Sequence, residues 1–432
     1  MKQYVISLSE PAAADAGRVG PKAANLATLA HAGLPTPDGF CLEAQAYRHQ
    51  LAALGLEQTA RSVFAAEDLQ ARRHALDMKL KLMGEPVSSP VSDALLEARS
   101  ALLRRNTGAP IVVRSSALVE DRQGSSFAGQ FESFLELESE TDFLTAVRAC
   151  WAALWSTRAL RYMATHGLDP ADTAMALLIQ PLVAARVAGG ALSRTSEDTI
   201  LINATWGLGS TIAQGEVAPD RYLLSREGEL RESVIGFKQL SHAASCAHLR
   251  RTPAPARRRA ATTPCLTPGQ AADLGSLVRR TEELMGMPVE IEWAMDDAGF
   301  KLLQSRPLNL QPAPVVDDRW RTRPRLNGQP AGVGWATGRA CVVRCECELS
   351  RVAPGDVLVT RMAGPALGQI LPRVAGVVAE LGGSTSHLAS LARERGIPMV
   401  LGAFEATHRI PEGAMVAVDG VAGVVRWMDS RP

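Results

Sequence analysis

The chain of 432 residues has little that would commit it to a membrane, to a nucleic acid or to an oxidising compartment. No apolar run approaches the roughly 18 residues that a bilayer span requires. The opening residues MKQYVISLSE lack an apolar segment followed by a small-residue cleavage site, so no secretory leader is expected there. The formal net charge is only +1, with acids and bases interspersed, which offers no basic face to a nucleic acid and none to an anionic lipid surface. The seven cysteines are sparse, scattered and odd in number, which suits a reducing compartment, and a cytoplasmic location is the expectation. Cys345 and Cys347 make a lone CxC without two further ligands at zinc spacing, so no zinc site is expected there. Internal repeats and long low-complexity segments are absent as well.

A hydrophobic fraction of 46% is ordinary for a globular protein, and the length predicts two or three domains with a sizeable core. Two stretches break the pattern. Residues 250–269, RRTPAPARRRAATTPCLTPG, are basic and Pro-rich and read as a solvated surface loop, although a basic run can contact phosphate. Residues 309–332 hold Pro312, Pro314, Pro324 and Pro330 and read as a linker between a large N-terminal part and a small C-terminal one.

Coarse periodicity gives a mixed α/β (α+β) protein. PIVVRSSA (110–117) and MALLIQPLV (175–183) are short apolar runs suited to buried strands. Residues 141–167 carry Leu144, Val147, Trp151, Leu154 and Trp155 at helical spacing, with Gly167 as a stop. Beyond the linker, PGDVLVT, VAGVVAEL and IPMVLGA read as strands. SHLASLARERG, between the last two, reads as a short helix stopped by Gly396 and Pro398.

His387 stands at the start of that helix, after Gly382, Gly383, Ser384, Thr385 and Ser386. A helix N-terminus carries unpaired N–H groups and about half a positive charge, so it favours anions. The glycines let the backbone approach an anion, the hydroxyls can cap or bind phosphate, and a neutral imidazole is a good nucleophile near neutral pH. These parts describe a phosphoryl-accepting histidine. They equally describe a histidine packed beside an ordinary turn, and the pattern alone does not separate the two.

A second constellation lies upstream. Lys22 sits in VGPKAANLATL, a turn running into a helix, and Arg114 lies in the strand IVVR. Residues 120–134 offer Gly124, Ser125, Ser126 and Gly129, a loop whose N–H groups could cover phosphates. In MPVEIEWAMDDAGFKLLQSRPLNL, Glu290 and Glu292 alternate on one strand, and Gln304 and Arg306 on the next. Carboxylate and amide oxygens facing an arginine suit a magnesium ion on nucleotide phosphates. Each piece alone also fits a solvated surface.

With these motifs in order along nearly the whole chain, the sequence resembles the phosphoenolpyruvate synthase and pyruvate phosphate dikinase family, whose relatives include rifampin phosphotransferase and phenylphosphate synthase. The matching stretches are VGPKAANL, GLPTPDGF, VVRSSALVED, SSFAGQFESFL, VRACWAALWSTRALRYM, TWGLGSTIAQGEVAPDRY, VEIEWAMD, LLQSRPLNL, GGSTSHLASLARERGIPMVLG and VAVDGVAGVV. The resemblance implies an ATP-grasp domain over residues 1–312, a linker over 313–333 and a swivelling phosphohistidine domain over 334–432. It implies that Lys22 and Arg114 bind ATP phosphates, that Glu292 and Gln304 hold Mg2+, and that Arg306 contacts phosphate and stabilises charge during transfer. Gln180 would lie along the adenine. His387 would receive the β-phosphate of ATP, giving AMP, and pass it to a small-molecule acceptor.

Some residues depart from the family pattern. Pro21 replaces a usual glycine, Ser210 a common glutamate, Glu290 a common aspartate, and Ser386 a cysteine frequent in synthases and dikinases. Thr385 matches a threonine that a regulatory kinase modifies in some relatives, and reads here as a phosphate contact or cap. The pyruvate-binding barrel is not expected in this chain, so the acceptor site is expected on a partner subunit or in a small pocket. The alternatives are a non-catalytic nucleotide-binding regulatory subunit and a self-sufficient small-molecule or antibiotic phosphotransferase.

Overall fold

The helix Ala16–His31 is broken at Gly20, and this break decides where Lys22 stands. Asp15 caps the first turn by accepting from Gly17 N at 2.9 Å. Gly20 then adopts φ 77° and ψ 158°, a region open essentially to glycine alone. A Cβ there would also lie 2.2 Å from the Ser116 carbonyl oxygen. Pro21 follows as the first residue of the resumed helix, where its fixed φ fits and its missing N–H is no loss. Ala23 N donates to Ser116 Oγ at 3.2 Å, so this restart rests on the strand that carries Arg114. The turn expected before the helix is therefore a sharp internal break.

The fold comes from a computed structural model that describes residues 4–63, 68–106, 108–120, 131, 133–169, 171, 173–236, 238, 263–309, 320 and 322–428. Of the expected features, the loop with Gly124, Ser125, Ser126 and Gly129, most of the basic stretch (250–262), and residues 310–319 and 321 of the Pro-rich stretch lie outside the described residues. The chain divides into two compact units, Met1–Val183 with Lys301–Arg306, and Ala184–Phe300 with Pro307–Pro432.

In the first unit, β1 (Val5–Ser7), β2 (Phe40–Leu42), β3 (Ile111–Ala117), β4 (Ser133–Leu137) and β5 (Met175–Pro181) form an antiparallel sheet in the order β1-β2-β5-β3-β4. The periodic stretch after β4 makes two helices, Glu140–Ala153 and Thr157–Thr165, rather than one. Ser156 interrupts it, because its side chain accepts from Ala159 N and so starts a new helix. The apolar pattern still reports the core, since Val147, Trp151, Leu154 and Trp155 are all buried.

In the second unit, β6 (Val187–Leu192), β7 (Ile200–Trp206), β8 (Asp220–Leu224), β9 (Leu230–Val234) and β10 (Val289–Asp296) are antiparallel in the order β10-β6-β7-β8-β9. Helix Pro268–Met285 packs on this sheet, entered through a capping box of Thr267 and Gln270 and closed by Gly286 in the left-handed region. The strand β11 (Gly299–Pro307) follows β10 directly, and its residues 301–306 belong to the first unit.

The C-terminal part adds β12 (Arg325–Asn327), β13 (Gln329–Pro330), β14 (Trp335–Val343), β15 (Val357–Thr360), β16 (Gly376–Ala379), β17 (Met399–Leu401), β18 (Met415–Asp419) and β19 (Val424–Met428). These form one eight-stranded sheet, order β12-β19-β18-β14-β15-β16-β17-β13, parallel from β14 to β17. Its first two strands come from the Pro-rich stretch and pair with β19 and β17. Helix His387–Arg395 joins β16 to β17, capped by Ser386 and ended by Gly396 at φ 67°. Val357, Val359, Val378, Val400, Val416 and Trp427 fill the core of this part. Cys345 and Cys347 are joined by a disulfide, which the sparse, odd cysteine count did not lead us to expect.

Replacing Gly20 with alanine forces a residue with a Cβ into a glycine-only conformation, a cost of about 1–3 kcal/mol before the contact with Ser116 is counted. Thermal melting of Gly20→Ala is expected to show a clearly lowered midpoint. An unchanged midpoint would show that the helix can be entered without the break.

Candidate functional site

Five of the seven residues singled out in the sequence fall in the first unit. Arg114 and Gln304 meet directly: Arg114 Nη2 donates to Gln304 Oε1 at 2.7 Å, and Nη1 donates to the Leu303 carbonyl at 2.6 Å. Asn25, on the resumed helix, donates to the Ser305 carbonyl at 3.0 Å, which holds residues 303–306 against that helix. Arg306 is buried on the same strand as Gln304 and in phase with it. The helix restart, the middle of β3 with Arg114 and the segment with Gln304 and Arg306 are thus tied together.

Lys22 has an acidic partner. Its Nζ lies 3.0 Å from Glu120 Oε1, whose side chain is fully buried, while Glu120 Oε2 accepts from Ala117 N at 3.1 Å. Glu120 was not anticipated as a site residue. The signal was present, since it is the first of the two acids that end VVRSSALVED, and a buried carboxylate needs a cation or a donor. Gln180 faces Val112 across β5 and β3 and donates its amide to the Pro37 carbonyl at 3.2 Å. The side chain therefore anchors the loop before β2 and lies on the same sheet face as Arg114.

Glu292 and His387 lie in the second unit. Glu292 is half-buried on β10 and opposes Gly190 on β6, which in turn opposes Asn203 on β7. Directly opposed residues share a face, so Glu290, Glu292, Gly190 and Asn203 project to one side of the sheet. The segment before His387 lies on that side. A Cβ on Gly190 would sit 2.5 Å from Thr385 Cβ, so only glycine admits Thr385 there. Gly382 N donates to the Val217 carbonyl at 2.9 Å. Asn203 Nδ2 donates to Gln329 Oε1 at 3.1 Å, and Ser384 N donates to the same oxygen at 3.4 Å.

The helix behind His387 is pinned more firmly. Ser390 Oγ donates to both Glu290 carboxylate oxygens, at 3.2 and 3.1 Å. Arg393 Nη2 lies 2.7 Å from Glu290 Oε2, in a pair whose side chains are 6% and 5% exposed. Sequence reading placed Glu290 beside Glu292 as a possible cation contact, and the structure gives its carboxylate to Arg393. Nothing local signals this pairing, because the two residues are 103 positions apart.

The free cysteines among the described residues are buried thiols. Burial pushes the Cys41 thiol up to about 12. Burial also raises Cys265, with nearby Asp220 adding to the effect, and burial raises Cys341, helped by Glu412. Such thiols stay protonated and unreactive near neutral pH.

Carboxylate and amide oxygens, the kinds that Glu292 and Gln304 carry, are ones that magnesium accepts, and the Gln304 oxygen keeps a second lone pair beyond its bond to Arg114. No group of three His, Cys, Asp or Glu among the described residues could hold a metal by itself. Magnesium commonly takes only one or two protein oxygens alongside phosphates and water.

Residues 16–322 match the model of the pyruvate phosphate dikinase AMP/ATP-binding domain, and residues 352–423 match the mobile domain of PEP-utilising enzymes. A probable phosphoenolpyruvate synthase of Methanothermobacter thermautotrophicus is 32% identical over 98% of this chain and 64% of its own length. The phosphoenolpyruvate synthase of Pyrococcus furiosus is 29% identical, covering 95% of this chain and 57% of its own length. That of Escherichia coli is 29% identical, covering 95% of this chain and 55% of its own. This chain therefore spans somewhat more than half the length of the curated relatives it matches. With its ATP-binding part and its histidine-bearing part both matched in order, the chain belongs to the phosphoenolpyruvate synthase and pyruvate phosphate dikinase family.

Proposed function

We propose that the chain is an ATP-dependent phosphotransferase of the dikinase type, with ATP and Mg2+ as cofactors and His387 as the phosphoryl carrier. The observation that carries this reading is the placement of His387 at the start of a capped helix, between Thr385 and Ser390, which meet Gly190 and Glu290 on the sheet face that bears Glu292. The γ-phosphoryl group leaves first, to water or to orthophosphate. A nitrogen lone pair of His387 then attacks the β-phosphorus, the bond from that phosphorus to the bridging oxygen of AMP breaks, and AMP leaves. Magnesium, when bound, would neutralise phosphate charge, held by Glu292 and Gln304.

The chain's own residues do the rest. Lys22, Arg114 and Arg306 draw the phosphates in and stabilise the charge spread over the transferring group, a task of positioning and electrostatics. Gln180 fixes the loop before β2 in the segment along which the adenine would lie. The acceptor is a small molecule, held by a partner subunit or a small pocket. In this reading the C-terminal part, with Pro-rich residues before it, swivels as the carrier between the two.

One observation favours a second reading, a non-catalytic nucleotide-binding regulatory subunit. Lys22 is already paired with buried Glu120, which lowers its value as a phosphate contact.

Incubation with magnesium and β-labelled ATP is expected to leave an acid-labile label on the wild-type protein and none on His387→Ala. Nucleotide binding without label or AMP supports the regulatory reading instead, and label arriving only from the γ position removes the dikinase step. Replacing Arg114 with alanine strips a charge donor from the transferring group and leaves Gln304 without its anchor. The labelling rate in single-turnover measurements is expected to fall by about 100- to 1,000-fold.

A further inference from the structure

We infer that Glu290 and Arg393 are a positioning pair that sets His387 over the strand face carrying Glu292, and that Glu290 is thereby a partner of the carrier helix rather than a metal ligand. The inference rests on the reading of His387 as the carrier and names residues through which that site is aligned.

Arg393 joins three pieces of chain. Its Nη2 donates to Glu290 Oε2 at 2.7 Å and to Ser390 Oγ at 3.2 Å. Its Nη1 donates to the Ser384 carbonyl at 2.6 Å and to the Ala331 carbonyl at 3.3 Å. One guanidinium thus holds strand β10, the loop three residues before His387, and the segment that leads into β14. A planar fork with several fixed donors does this where a single ammonium cannot. Ser390, three residues after His387 and so on a neighbouring line of the helix, binds both Glu290 oxygens. His387 lies between these two anchored points, Ser384 and Ser390.

Glu290 cannot serve two masters here. Its carboxylate is 5% exposed and accepts from two side chains of the carrier helix. Glu292, two residues along the same strand face, is half-buried where Glu290 is buried, and it opposes Gly190. The strand therefore divides its two acids between different tasks, Glu290 aligning the imidazole and Glu292 facing the cation.

The test is amide hydrogen exchange together with single-turnover labelling, on the full chain. In Glu290→Gln the charge is lost while the shape is kept. Exchange across residues 382–390 is expected to rise at least about tenfold, the scale of losing a hydrogen bond to a charged group, while helix Pro268–Met285 keeps its protection. The maximal rate of His387 labelling from β-labelled ATP is expected to fall at least about tenfold with the KM for ATP unchanged. Unchanged exchange across 382–390, or a raised KM with an unchanged maximal rate, overturns the inference, the second result placing Glu290 on the nucleotide side. If Glu290→Gln does not fold, Arg393→Lys takes its place, since it keeps the charge but cannot hold Glu290, Ser384 and Ala331 together, and the same two changes are expected. Should the wild-type protein take no label at all, the carrier reading fails, and exchange still decides whether the pair holds the segment.

Discussion

A buried guanidinium cannot be left without partners, and in the second unit that requirement governs where the histidine goes. Arg393 is nearly closed off from water and meets Glu290, Ser384, Ser390 and Ala331. Removing one member of such a pair typically costs about 3–5 kcal/mol, because the remaining charge is stranded. The same pair adds little to stability compared with a well-packed apolar contact. Its effect is one of specificity, since few arrangements of helix and sheet satisfy both charges and both carbonyls. Gly190 complements it sterically, opening a space on the sheet that Thr385 fills.

The first unit gathers cationic side chains and gives them fixed partners. Arg114 is steadied by Gln304 and the Leu303 carbonyl, and Lys22 by Glu120. A buried carboxylate and an amide dipole offset the charge of Lys22 and Arg114. The break at Gly20 belongs to the same arrangement. It swings the lysine-bearing turn onto the strand that presents Arg114, which an unbroken helix from residue 16 would not do.

Local signals carried most of what the sequence revealed. The histidine helix was legible because its start and its stop are both written within a dozen residues, in Ser386, Gly396 and Pro398. The strands β3, β5 and β15 were legible from apolar runs of the right length, and β10 from the alternation of Glu290 and Glu292. Family motifs supplied the residue roles, which periodicity could not. The pairings that fix the site were hidden by distance along the chain: Lys22 and Glu120 are 98 residues apart, and Glu290 and Arg393 are 103 apart. The helix break before Ser156 was missed because Leu154 and Trp155 keep the apolar rhythm across it. Two strands were missed in the Pro-rich stretch because Arg325–Asn327 and Gln329–Pro330 are too short to show alternation.

Ser386 has a chemical corollary. Its side chain accepts from Ala389 N at 3.3 Å and so starts the helix that His387 heads. A thiol is a weak acceptor and would hold that turn less firmly. A cysteine next to an anion-friendly helix start would also be drawn toward thiolate, and from there toward sulfenic and sulfinic acids. With a hydroxyl in that place, residue 386 offers peroxide and alkylating reagents no thiol.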